Sequence, residues 1–260
     1  MPHVMIDGVQ YVPVDSPCDG VPGTELEDRF NDDDDEGLIE VEPFTIGDAF
    51  GADGRWFPVL FNVEAPPVQH ALTEMDLLEL ADTLDVPAQH IDAVRRVEAA
   101  GSGFLLNESK PARPKILFEG HWFYKLTPVA VSRRRPDLSH PRWTKQHYKG
   151  GSAEWDRLRD ACEFDFHNAL KSASWGLGQV MGFNFELAGC GSVEEMVVEA
   201  FSGEAAQFGQ MMRYIENTDL LPALRKGDWE RFARGYNGPG YAQNNYHRKL
   251  AKAARNSGFA

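Results

Sequence analysis

At Thr73 the period of the sequence changes, and that change limits the chain to a mostly helical α+β fold preceded by a smaller piece. Before it, short alternating segments such as VQYVPV, LIEVEPF and WFPVLFNV are broken by Pro and Gly, a pattern of a few strands and few helices. After it, Leu77, Leu80, Ala81 and Leu84 share one helical face behind Thr73 as cap, and Val86-Pro87 opens a second helix ending near Ala100. Gly101 and Gly103 then lead into FLLNESKPARPKILFEGHWFYKL, which reads as two strands joined by a Pro-rich turn. The rest is helical again: SAEWDRLRDACEF, DFHNALKSAS, the stretch opening SVEEMVVEAF, a helix carrying Trp229, Phe232 and Ala233, and a last one to about Arg255. WGLGQVMGFN reads as a Gly-rich connection between them. The expected division is an appendage over residues 1–70 and a main domain over 71–260.

Charge follows the same boundary. Residues 1–70 hold 16 Asp/Glu against 2 Lys/Arg and so carry the whole net charge of −14, whereas residues 71–260 hold 24 of each sign. A neutral main domain argues against nucleic-acid binding, which needs a net basic surface. The run DDDDEGLIEVEP begins like an EF-hand loop but has Pro43 where the bidentate Glu is wanted, so it reads as a solvated acidic loop. The basic run Arg133 to Arg135 likewise reads as a solvated loop. Cys18, Cys162 and Cys190 are odd in number and widely spaced, which fits synthesis in a reducing cytoplasm rather than a disulfide framework. The N-terminus has no signal-peptide pattern, and no run of about 18 apolar residues marks a membrane span.

Several chemistries lack their residues. There is no HExxH pair for a metal hydrolase and no GxSxG elbow for a serine hydrolase, and GLGQVMG has the wrong glycine spacing and context for a dinucleotide site. Cys162 sits in a helical pattern as a small core residue, and Cys190 in a GCGS loop without a recognisable context. Glu98 is different. Ile91, Val94 and Glu98 fall at i, i+3 and i+7, so this carboxylate leans toward the apolar side at a helix end, where desolvation raises its pKa toward that of a general acid. Taken alone, Glu98 would more often be a helix-end carboxylate paired with Arg95 or Arg96, Tyr236 and Tyr241 would more often be half-buried packing residues, and YNGPGY could be only a helix stop. Taken together with Gln179 and Asn237, they supply an acid plus amides and rings that can hold sugars, which is what glycan hydrolysis needs.

Four blocks, VEAAGSGFL, RPKILFEGHWFYKLT, ALKSASWGLGQVMGFNFELAG and DWERFARGYNGPGYAQNNYHRKLA, resemble in their order the N-acetylmuramidase domain of bacteriophage endolysins, within the lysozyme-like superfamily of goose-type lysozymes and lytic transglycosylases. The resemblance runs from about Leu72 to Arg255. It implies a lysozyme-like domain with a β-hairpin after the helix of a catalytic Glu98, no cofactor, and cleavage of the β-1,4 bond between N-acetylmuramic acid and N-acetylglucosamine in peptidoglycan. Ser174, Gln179, Tyr236, Asn237 and Tyr241 would line the cleft, although YNGPGY is one residue shorter than the usual Y-N-A-G-P-G turn. Glu119 is the first choice for a second catalytic group, and Glu108 belongs to an exposed hairpin turn. The alternatives are a lytic transglycosylase giving anhydro-muramic products and a phage structural or docking protein that only binds. Residues 1–70 resemble no wall-binding repeat and are expected to dock on another phage or virion protein or to keep the enzyme in solution. The enzyme would be made in the host cytoplasm and reach the wall through a membrane lesion or inside a virion.

Overall fold

The computed structural model describes residues 4–6, 9–11, 71–107 and 110–259. Strands β1 (Val4–Ile6) and β2 (Val9–Tyr11) form an antiparallel pair. The remaining expectations for the appendage, including its acidic loop, lie outside the described residues, as does Glu108.

Helices α1 (Glu74–Leu84) and α2 (Ala88–Glu98) form where the apolar spacing places them. Thr73 caps α1 reciprocally: its hydroxyl accepts from the Asp76 N–H at 3.2 Å while the Asp76 carboxylate accepts from the Thr73 N–H at 2.7 Å. Leu77, Ala81 and Leu84 of α1 are buried, as are Ile91 and Val94 of α2. Asp92 of α2 is buried too, bonded to Arg95 at 2.9 Å, to Arg96 at 2.8 Å and to the Ser257 hydroxyl at 2.8 Å, so it ties α2 to the chain's end.

The hairpin after α2 pairs β3 (Phe104–Asn107) with β4 (Lys110–Pro114). The Pro-rich segment is therefore a strand and not the turn; in a two-stranded sheet every strand is an edge, where proline's missing N–H costs little. A third strand, β5 (Ile116–Phe118), joins a second sheet in the order β5-β6-β7, with β6 (Ala173–Trp175) and β7 (Val180–Met181). Strand β7 comes from the segment read as a mere Gly-rich connection, and β6 straddles its start and the end of DFHNALKSAS, read as helical. EGHWFYKL is also not a strand: Gly120–Leu126 is helix α3, and α4 (Val129–Arg134) contains two of the three arginines read as a loop. The third, Arg135, is held by Asp137 at 2.9 Å and Asp160 at 3.0 Å.

Helices α5 (Ala153–Cys162), α6 (Phe166–Lys171), α7 (Val193–Ser202), α8 (Glu204–Asn217), α9 (Leu221–Lys226), α10 (Trp229–Asn237) and α11 (Tyr246–Arg255) complete a mostly helical fold with small antiparallel sheets. The small sheet is embedded in the core. Phe118, Trp175 and Trp155 are at most 1% exposed, and the two indoles meet edge to face at 5.7 Å. Cys162 is fully buried, as its helical pattern required.

Candidate active site

The site begins where α2 stops. Gly101 has φ +89°, a left-handed turn that glycine adopts without steric cost, and it sends the chain back toward α8. There Glu204 accepts from the Ser102 hydroxyl at 3.0 Å, from the Gly103 N–H at 2.7 Å and from the Leu72 N–H at 3.2 Å. A Cβ at Gly103 would overlap the Gln207 amide, so only glycine lets the two approach this closely. The loop leaving Glu98 is thus clamped by two residues of α8 that sequence reasoning missed. A buried glutamine inside the run FGQMM was the available sign of the second clamp's helix, since Gln207 and Gln210 are each 1% exposed.

Glu98 is half-buried. Its Oε2 accepts from the Asn237 side-chain amide at 3.1 Å, and its Oε1 is buried without a partner among the described residues. Burial raises its pKa above the usual carboxylate range, against the smaller opposing pulls of the Asn237 amide and the Lys249 charge. Arg95 and Arg96, the partners an ordinary surface glutamate would choose, are both taken by Asp92. Tyr236 lies stacked on Phe232 at 5.7 Å and edge-on to Tyr214 at 6.1 Å. Burial, with the Glu98 charge second, pushes its phenol up and keeps it protonated. Tyr241 packs edge-on against His247 at 5.4 Å.

Ser174 on β6 and Gln179 in the turn between β6 and β7 are brought together, with their polar groups turned inward. The Gln179 amide donates to the carbonyls of Gly176 at 2.8 Å and Lys115 at 3.1 Å and accepts from the Ser174 hydroxyl at 2.9 Å. Gln207 binds the same turn, accepting from the Leu177 N–H at 2.7 Å and donating to the Ala200 carbonyl at 2.7 Å. One buried amide thus stands between the Glu98 loop and the β6–β7 turn.

Glu119 is the residue that follows β5. The Gly103 carbonyl accepts from the Lys115 N–H at 2.7 Å, so the Glu98 loop meets the beginning of β5, whereas Glu119 follows its end, about 13 Å further along extended chain. Its carboxylate accepts from the Tyr148 hydroxyl at 2.5 Å and faces His121 Nδ1 at 3.2 Å. Burial and Glu119 push the Tyr148 phenol up, and burial lowers the His121 pKa. Among the described residues, no bond joins this cluster to Glu98. No group of three or more His, Cys, Asp or Glu is arranged to hold a metal among them, and no helix is long and apolar enough to cross a membrane.

What this arrangement does is hold a half-buried carboxyl, raised in pKa by burial, with one oxygen fixed by an amide. The family model for N-acetylmuramidase matches residues 87–257. Among solved structures, the chain is similar to the endolysin of Burkholderia AP3 phage, with 33% identity and a TM-score of 0.67 over 77% of this chain and 75% of that one. No functionally curated protein matches.

Proposed function

The chain belongs to the N-acetylmuramidase family and is a peptidoglycan hydrolase, and we propose that it cuts the β-1,4 bond between N-acetylmuramic acid and N-acetylglucosamine with Glu98 as general acid. The observation that carries this reading is the state of Glu98: raised in pKa by burial, deprived of both neighbouring arginines and fixed by one amide.

The proton moves from the Glu98 carboxyl to the glycosidic oxygen as the bond to the anomeric carbon breaks. Asn237 and Lys249 favour the carboxylate left behind, so the groups that oppose the raised pKa before the reaction stabilise its product. Water adds at the anomeric carbon as the bond to the leaving oxygen is lost, gives up one proton to solvent, and Glu98 regains a proton from solvent for the next turnover. In this reading Ser174 and Gln179 support the cleft by holding the β6–β7 turn, Tyr241 offers a ring to a sugar face, and Tyr236, stacked on Phe232, backs Glu98 from the core side. Glu119, engaged by Tyr148 and His121, supports the far end of β5 and takes no proton from the scissile bond. Like the phage endolysin it resembles, the protein would act at a bacterial wall.

The test is mass spectrometry of fragments from purified peptidoglycan digested with wild type and with Glu98→Gln. Reducing muramic ends, lost by about 10²- to 10⁴-fold in the variant, are expected. Anhydro-muramic ends would make the enzyme a transglycosylase, and undiminished cleavage by the variant would remove Glu98 from its role. Loss of fold does not confuse the result. Because the folded-state pKa of Glu98 is above its unfolded value, the native state loses stability as pH rises from the ordinary carboxylate range through that raised pKa. Glutamine never ionises, so the variant should melt no lower than wild type at neutral pH.

A further inference from the structure

The last thirty residues carry charge of one sign. Residues 231–260 contain six Lys/Arg and no Asp/Glu, and four of the six, Arg248, Lys249, Lys252 and Arg255, lie on α11. Arg248, Lys252 and Arg255 fall at i, i+4 and i+7, one row on the helix surface. They are exposed and make no ion pair among the described residues, while Leu250 on the opposite side is fully buried.

This helix has a fixed relation to the candidate acid. It runs antiparallel to α2: near its C-terminal end Asn256 accepts from Arg96 at 3.2 Å and Ser257 donates to Asp92 at 2.8 Å, while near its N-terminal end the Lys249 charge reaches Glu98. The row, one position round the helix from Lys249, therefore starts at the Glu98 end of α2 and leads away from that end for about 10 Å, seven residues at about 1.5 Å each.

Peptidoglycan offers an anion of matching reach. Every N-acetylmuramic acid carries on its lactyl group a short peptide with free carboxylates, and three or four extended residues span about 10 to 14 Å. A glycan strand whose scissile bond lies at Glu98 brings that peptide within a sugar's width of the acid. We infer that the cationic row of α11 binds the acidic stem peptide of the muramic acid at the cleavage point, so that the enzyme selects peptide-bearing glycan. The inference rests on the muramidase reading above. An anionic lipid surface fits less well, because the apolar side of α11 is packed in the core and cannot insert.

The test compares initial rates on intact peptidoglycan and on the same glycan stripped of its peptides by an amidase, for wild type, for R248Q/K252Q/R255Q and for R248K/R255K. Wild type should prefer peptide-bearing strands by roughly tenfold in kcat/KM, mostly through KM, since each exposed ion pair contributes a few-fold at most. The neutralised variant should lose that preference and the charge-conserving one keep it. An unchanged ratio in the neutralised variant overturns the inference. So does an unchanged ratio joined to lost sedimentation with phosphatidylglycerol vesicles, which would assign the row to lipid. Cleavage of neither substrate by wild type would sink the muramidase reading and this inference with it.

Discussion

Glu98 and Asn237 show how far a single residue's chemistry depends on the distant chain. The two are separated by 139 positions, yet the amide of one fixes the carboxylate of the other at 3.1 Å. A donor to a carboxylate lowers its pKa, so Asn237→Ala should raise that of Glu98 further. The alkaline limb of the kcat/KM profile, which reports loss of the proton from the acid, should then move to higher pH. The value at the optimum should fall by about 10- to 100-fold, because the carboxyl is no longer oriented. A profile unmoved on the alkaline side would mean that another group sets that limb. The partial burial of Glu98 was legible in the sequence from its place in the stripe with Ile91 and Val94. Its partner was not: the sequence allowed Arg95 or Arg96, and only the burial of Asp92, which draws both arginines to itself, leaves Glu98 to Asn237.

Among the elements, those with a strong period and a recognisable start were the ones the sequence disclosed. Thr73 with Asp76, and Pro87 before α2, are local signals that need no tertiary partner. Strands β6 and β7 are three and two residues long, too short to show alternation, and exist because β5 and the core give them partners. Helix α3 was disguised in the opposite way. Its aromatic run HWFY favours strands in isolation, but the N–H groups of Trp122 and Phe123 reach the Glu119 carbonyl and Phe123 is buried, so packing overrides propensity. The joint between these elements is Gln207. Gln207→Leu removes the acceptor of the Leu177 N–H and the donor to the Ala200 carbonyl, leaving two buried groups unpaired. Urea unfolding should show a loss of about 2 to 4 kcal/mol. A loss below about 0.5 kcal/mol, the scale of an ordinary surface change, would mean that the turn is held without it.

On the scale of the whole molecule, charge is divided more sharply than structure. Residues 71–260, which contain the family match over 87–257, are neutral overall but carry a cationic row on α11, whereas residues 1–70 hold the entire net charge of −14. Peptidoglycan bearing stem-peptide carboxylates is itself anionic, so the first seventy residues oppose adsorption to the substrate while α11 favours it. This asymmetry agrees better with a segment that meets another protein, or that limits how tightly the enzyme clings to the wall, than with a wall-binding module. A chain beginning at residue 71 should therefore bind purified peptidoglycan more tightly than the full chain at about 20 mM salt, where screening is weak. The difference should shrink several-fold at about 500 mM, where the Debye length is only a few ångströms. Sedimentation of both proteins with insoluble peptidoglycan across that range measures it. Weaker binding by the shorter chain at low salt would reverse the assignment and make residues 1–70 a wall-binding element acting against its own charge.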